Sequence, residues 1–174
     1  ILKIGVYANN SALEKANGGW RVVGDPTEGA LIVAARKAGV LDKIKESSNR
    51  LVEYPFDSER MRMTTVDEVR REGHIVSMKG APEVVLSHCT ETTSPNGTRP
   101  LSEEDRRSIL AEADEMAGNA LRVLALAWKP VSINDPAEAD SIDLMESGLI
   151  FAGLTGMMDP PRKEVPEAIR ISKE

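Results

Sequence analysis

Cysteine is almost missing from this chain. Cys89 is the only one in 174 residues, so no internal disulfide can form, which fits a reducing compartment. Aromatics are scarce at 3%, so each ring, Trp20, Phe56, Trp128 and Phe151 among them, carries more information than usual. Long apolar runs are also missing. The longest uncharged one, Gly148 to Met158, falls far short of the roughly 20 residues a membrane-spanning helix needs, and no signal peptide precedes it. There is no excess of positive charge: 22 Lys and Arg stand against 28 Asp and Glu, a net charge of -6. That argues against a nucleic-acid surface, although a few clustered bases still suffice for a small anion. No Gly-x-x-x-x-Gly-Lys-Ser/Thr loop is present to cradle phosphates. The two histidines, His74 and His88, fall on different predicted elements and Cys89 has no partner, so no nucleophile–base pair can be assembled.

What remains is a chain with 41% hydrophobic and 29% charged residues, enough for one well-cored globular domain. It is organised around Ser77-Met78-Lys79-Gly80-Ala81-Pro82-Glu83. From His74 to Lys79 the residues alternate, Val76 and Met78 on one face and Ile75, Ser77 and Lys79 on the other, as in a half-buried strand. Gly80 removes the side chain where the strand stops, so another backbone or a flat ligand can approach. Pro82 suits the first turn of a helix, and Glu83 lies where a helix N-terminus favours negative charge. A lysine therefore ends a strand at the rim of a sheet, beside an opening.

Elsewhere, Ile1 to Ala8 reads as a helix tail or a strand, and Leu13 to Val23 as a hairpin turning at Asn17-Gly18-Gly19. Asp25-Pro26-Thr27-Glu28 is a helix start, with Gly39 as its stop. Leu41 to Ser48 is a polar connector of one or two helical turns. Leu51 to Phe56, Met61 to Val69 and His74 to Lys79 read as three strands joined tightly enough for antiparallel pairing. A short helix, Ala81 to His88, precedes a loop or small hairpin around Pro95-Asn96-Gly97. Ser102 caps the longest helix, whose buried stripe is Ile109, Leu110, Ala113, Met116, Ala117 and Ala120. Leu121 to Val131 and Leu149 to Met158 are two more strands, separated by the acidic Ser132 to Asp143, read as a mobile loop. Asp159-Pro160-Pro161-Arg162 forms a stiff exit before a final helix. The expected fold is α+β: one domain with a mostly antiparallel twisted sheet of about six strands flanked by helices. Both ends, starting at Ile1 and stopping at Glu174, look cut from something larger.

Three segments complement the lysine. Pro55 to Met63 places Phe56 at a strand end, followed by Arg60, Met61, Arg62 and Met63. Either Phe56 and Met63 fill the core while the arginines face water, or Phe56 stacks on a planar ring, worth about 1–3 kcal/mol. Gly24 to Glu28 is a helix cap. Ala120-Leu121-Arg122 sets a cation where the long helix gives way to a strand.

Taken together, Gly24-Asp25-Pro26-Thr27-Glu28-Gly29-Ala30-Leu31, Phe56-Asp57-Ser58-Glu59-Arg60, Lys79-Gly80-Ala81-Pro82-Glu83 and Leu121-Arg122-Val123-Leu124-Ala125 resemble, in order, the nucleotide-binding domain of P-type cation-transporting ATPases. Asp159-Pro160-Pro161-Arg162 is similar to that family's return into the phosphorylation domain, and the resemblance covers essentially the whole chain. It implies an ATP site in which Phe56 stacks on adenine, Glu28 meets the adenine amino edge and Lys79 lines the deep end. Gly80 and Ala81 would lie against the base, Met63 beside the ring, and Arg122 would reach the phosphates. At Met61 many relatives carry a lysine, a contact for which Arg60 or Arg62 is the substitute. The family's phosphorylated aspartate motif, magnesium-binding aspartates and membrane helices are absent, so the resemblance implies ATP binding without hydrolysis, Mg2+ arriving with the nucleotide. No catalytic residue and no protein metal site is expected.

The implied partners are the phosphorylation and actuator domains of a parent pump, with no nucleic acid and no direct membrane contact. The implied location is the cytoplasmic side of an integral membrane protein. Segments 1–10 and 159–174 would be its hinge, with the two ends close together. Lack of a His-Pro pair favours a calcium-, sodium- or proton-pump-like parent. The rival from another class is a protein-interaction module that has lost nucleotide binding, supported only by Met61 and the acidic loop.

Overall fold

Helix caps and turn residues set the element boundaries, and they do so largely where the sequence puts them. The computed structural model describes residues 1–16, 18–133, 141–158 and 165–172. The chain runs α1 (Leu2–Tyr7), β1 (Ala12–Ala16), β2 (Gly19–Val23), α2 (Pro26–Lys37), α3 (Leu41–Glu46), β3 (Ser48–Asp57), β4 (Arg62–Val69) and β5 (Gly73–Gly80). It continues through α4 (Pro82–Ser87), β6 (Cys89–Ser94), β7 (Gly97–Pro100), α5 (Glu103–Gly118), β8 (Arg122–Val131), α6 (Ile142–Met145), β9 (Leu149–Met157) and α7 (Val165–Ser172). Asp25 caps α2 by accepting from the amides of Thr27 and Glu28, with Pro26 in the first turn. Ser102 and Asp105 close a reciprocal capping box on α5. Ile1 to Ala8 resolves as a helix. The hinge residues Asp159, Pro160, Pro161 and Arg162, residue 17 of the first turn, and most of the acidic loop lie outside the described residues.

β1 and β2 form their own antiparallel hairpin, and the other strands make one sheet in the order β3-β4-β5-β8-β9-β6-β7. Every neighbouring pair in it is antiparallel except β6 with β9, which is parallel. The architecture is thus the expected α+β fold with a mostly antiparallel sheet. The seventh strand arises because the turn around Asn96 is a true hairpin that extends the sheet beyond β9.

Helices cover both faces of the sheet. On one, Val6 and Tyr7 of α1, Ile32 and Ala35 of α2, and Leu41 and Ile44 of α3 pack with Val69 and Ile75. On the other, Val85 and Leu86 of α4 and Met145 of α6 pack with Val66, Val76, Met78, Ala125 and Ala127. β5 lies between the two cores. Its alternation is real, but the strand is not half-buried: Ile75 through Lys79 are all within 6% of full burial. The expected stripe on α5 is the opposite case. Only Ala113 is buried, Ile109, Leu110 and Met116 are half-buried, and Ala117 and Ala120 are exposed.

Gly80 ends β5 under a tight constraint. A Cβ there would stand 2.4 Å from the Met61 carbonyl oxygen and 2.9 Å from the Arg62 Cα. Of the two approaches the sequence leaves open, another backbone is the one that fills this space, the incoming end of β4. Gly80→Ala should therefore lower stability by about 1–3 kcal/mol as the β4–β5 pair is forced apart. Thermal or urea unfolding reads this directly, and an unchanged midpoint would mean that the start of β4 yields without cost.

Candidate functional site

Lys79 is the penultimate residue of β5 and only 5% exposed. An ammonium that deep needs an anion. It has one in Glu28, in the first turn of α2, whose Oε1 accepts from Lys79 Nζ at 2.6 Å. Burial still pulls the Lys79 pKa below its ordinary value, with Glu28 and Asp25 opposing it. The second oxygen of Glu28 is engaged as well: Oε2 accepts from the Asn10 amide at 2.8 Å. Beside it, Arg122, the first residue of β8, donates to Thr27 Oγ1 at 2.8 Å. Burial works to raise the Asp25 carboxyl, but the amides of Glu28 and Thr27 and the nearby Arg122 win and hold it below the usual carboxylate range.

Phe56 faces this pair from the far side of the sheet end. β3 and β4 pair at Tyr54 with Thr64 and again at Asp57 with Arg62, so Pro55 and Phe56 together oppose the single residue Met63. Such a bulge re-aims the extra residue, and Pro55, lacking an N–H, suits it. Phe56 emerges 62% exposed while Met63 is buried at 1%. The turn that follows is fixed by Asp57, whose Oδ1 accepts from the amides of Glu59 and Arg60 at 2.8 and 2.9 Å. Met61, with φ at +50°, then projects into the same space, 41% exposed, while its carbonyl accepts from the Ala81 amide at 3.1 Å.

These elements enclose a cleft of about 590 Å³. Its deep end is the Lys79–Glu28 pair with Gly80 and Ala81, one wall carries Phe56 and Met61, and Arg122 stands at the mouth. α5 also lines it, through Leu110, Ala113, Asp114 and Ala117, which fits an apolar stripe on that helix left half uncovered. Of the predicted site residues, Glu28, Phe56, Lys79, Gly80, Ala81 and Arg122 line this one cleft. Met63 and Arg60 do not. Met63 pairs with Lys79 across the β4–β5 ladder inside the sheet.

The Arg60 guanidinium is directed at Glu146 instead. Glu146, 3% exposed at the end of α6, also takes Arg62 Nε at 2.8 Å and Thr64 Oγ1 at 2.7 Å. Both arginines of the turn are thus engaged by Glu146 rather than lining the cleft. Sequence reasoning passed over Glu146, Asn10 and the α5 wall. Only the small residues Ala113 and Ala117 gave a signal for the wall, and they read as core.

Other features of the described residues offer less. A larger groove, about 1170 Å³, opens between α1, α3 and the β4–β5 turn, where Lys3 is already paired with Glu72 at 2.5 Å. Cys89 is buried, and desolvation pushes its thiol up to about 12, which leaves it inert as a nucleophile. Among the described residues no group of three or more His, Cys, Asp or Glu is arranged to hold a metal, and no helix is long and apolar enough to cross a membrane.

A family model described as the P-type ATPase cytoplasmic domain N matches residues 1–164. A calcium-transporting ATPase of Bacillus subtilis is 37% identical across 100% of this chain and 19% of its own length. A cation-transporting ATPase of Synechocystis is 39% identical over 97% of the chain and 18% of that protein. A sodium/potassium exporting P-type ATPase of Schizosaccharomyces pombe is 38% identical over 98% of the chain and 16% of that protein. The chain thus spans under a fifth of the length of these curated relatives.

The Glu146 cluster makes a pH-dependent prediction. Burial alone would raise the Glu146 carboxyl, but hydrogen bonds from Arg62, Thr64 and Arg60 outweigh it and hold it below 4.5. A carboxyl lowered in the folded state stabilises fully above its unfolded value, and the contribution disappears as pH falls through the folded one. Glu146→Gln should therefore cost on the order of 3 kcal/mol at pH 7 and flatten the acid limb of the stability profile below about pH 4.5. Melting curves between pH 3 and 7 check both; an acid limb of unchanged steepness would assign it to other carboxylates.

Proposed function

The chain belongs to the P-type ATPase cytoplasmic N-domain family, and from that premise we propose that it binds ATP in the cleft at the end of β5 and presents the γ-phosphate to a phosphorylation domain outside this sequence. The observation that carries the reading is Phe56. A large ring left 62% exposed at the edge of a concave, largely apolar cleft is a stacking surface without its stack. The cleft volume falls within the range of about 300–1,000 Å³ usual for small-molecule sites.

In this reading the adenine slides between Phe56 and the α5 wall, with Met61 against its edge. Glu28 accepts a hydrogen bond from the exocyclic amine, and Lys79 holds the carboxylate in place while donating to whatever base atom reaches the deep end. Arg122 meets the phosphates at the mouth. The proposed role of the cleft is to bind the nucleotide without attacking it, and Mg2+ travels with the triphosphate. The parent would be a cation pump, with this domain on the cytoplasmic side and residues 1–10 and 159–174 as its hinge. In support, Ile1 packs directly against Gly153 of β9, the strand that leads toward residue 159.

A site that grips mainly the base, with Arg122 as its cation toward the phosphates, should be weak. The expected dissociation constant is about 0.1–10 mM, roughly -3 to -5.5 kcal/mol, with AMP, ADP and ATP within about tenfold of one another. Phe56→Ala should weaken ATP by about 1–3 kcal/mol. Its exposed ring should cost less than about 1 kcal/mol of stability. An ATP titration followed by NMR shifts on both proteins, with melting curves, is the test. Unchanged affinity in Phe56→Ala, or nanomolar binding of ATP, would remove the stacking site.

A second expectation concerns turnover. Incubated with ATP and Mg2+, the 174-residue chain should release no phosphate and take up no label. A labelled, acid-stable phosphoprotein would reveal a nucleophile in the chain.

A further inference from the structure

Glu28 is held far more firmly than its ion pair with Lys79 requires. Three consecutive residues after α1 each bond to the first turn of α2. Asn9 Nδ2 donates to the Glu28 carbonyl at 2.9 Å, the Asn10 amide donates to Glu28 Oε2 at 2.8 Å, and Ser11 Oγ donates to the Asp25 carbonyl at 2.9 Å. The corner itself is rigid. Asn9, only 7% exposed, gives its other amide hydrogen to the Gly5 carbonyl at 2.9 Å and takes the Ser11 amide on Oδ1 at 2.8 Å. Both of its donors and its acceptor are used, which fixes the side chain's orientation without ambiguity. Asn10 links the same corner to β3, donating to Glu53 Oε1 at 2.6 Å and accepting from Arg50 at 2.7 Å. The strand that carries Phe56 and the helix that carries Glu28 are therefore set against each other through this corner.

We propose that Asn9 is a positioning residue for base selection. By fixing the backbone of Glu28 while Asn10 and Lys79 each hold one carboxylate oxygen, it leaves the remaining lone pairs aimed into the cleft as a ready acceptor. An acceptor held there favours a purine with an amino group at position 6 and disfavours one with a carbonyl, whose oxygen meets the carboxylate with no proton between them. Without Asn9 the first turn of α2 keeps its helix but loses its fixed distance to the Phe56 wall. The carboxylate then turns toward Lys79 and water. This inference rests on reading the cleft as a nucleotide site.

ATP and inosine triphosphate differ only along one edge of the base, in the group at position 6 and the proton on N1, so the change in their ratio between the two proteins isolates the effect of Asn9 on reading that edge. NMR or calorimetric titrations of both nucleotides against the 174-residue chain and its Asn9→Ala variant give the test. The unsubstituted chain should prefer ATP by about 5- to 30-fold. In Asn9→Ala, ATP should weaken by about 3- to 10-fold with inosine triphosphate nearly unchanged, bringing the ratio toward one. A merely structural role would reduce binding of both nucleotides together, through the folded fraction, and keep the ratio, which overturns the proposal. Should Asn9→Ala fail to fold, Asn9→Ser, which keeps a hydroxyl beside the Ser11 amide, carries the same comparison. If the unsubstituted chain binds both equally, Glu28 does not read position 6 and the inference fails while the nucleotide site stands. If it binds neither, the site reading itself is lost.

Discussion

An ammonium group 5% exposed at the end of a strand buried on both faces cannot stand without a carboxylate, and meeting that demand organises one whole end of the molecule. Lys79 is buried because β5 is the third strand of a sheet whose two faces are both covered. Its counter-ion comes from α2, on a different element 51 residues earlier in the chain. To bring Glu28 within 2.6 Å, the first turn of α2 must lie over the end of β5, and the Asp25 cap and the hairpin before it follow. The pair then forms the floor of an opening. Its walls are what the sheet ends offer at that level: the bulge of β3 on one side and the uncovered stripe of α5 on the other.

The same logic separates the two arginines of the Asp57–Arg62 turn from the cleft. With Glu146 3% exposed, Arg60 and Arg62 both pair with it and Thr64 adds a hydrogen bond. A buried carboxylate carrying that many donors is a fixed point. It ties the turn to the loop before β9, and so holds Phe56 and Met61 in place from behind while their side chains face outward. The cations of this turn brace the structure, while Arg122 is the arginine that lines the cleft among the described residues.

How much of this was legible depended on whether the signal was local. The Asp25-Pro26 start, the Ser102 cap, the hairpins and the alternation of β5 are properties of adjacent residues, and all appear in the structure. The apolar spacing of α5 was equally legible but ambiguous, because a stripe facing a cleft has the same period as one facing a core. Only the tertiary setting leaves Ala117 uncovered. Phe56 and Met63 read as a pair, yet they part company at a bulge whose one local sign is Pro55. Gly80 could serve a ligand or a neighbouring strand, and only the fold shows that a Cβ there would stand 2.4 Å from the Met61 carbonyl oxygen, so the strand alone already demands glycine. The Glu146 cluster joins residues more than 80 positions apart, and no pattern in the chain points from one to the other.

The charges around the cleft bear on what such a site can do. Among the described residues, four carboxylates line it, Asp25, Glu28, Glu83 and Asp114, against two cations, Lys79 and Arg122. Lys79 is neutralised by Glu28, so an incoming nucleotide meets one guanidinium and a surplus of negative charge. A triphosphate is not drawn in by such a field. Each added phosphate brings further repulsion, screened beyond about 8–10 Å at physiological ionic strength. In the proposed site, binding would therefore come from the ring and the amine, where stacking and one directed hydrogen bond operate at close range, and the phosphates would extend past Arg122 into solvent. For a domain proposed to hand its terminal phosphate to another, this is a physical advantage: a site that held the triphosphate tightly would have to release it again before transfer, whereas one that holds the base keeps the reactive end free throughout.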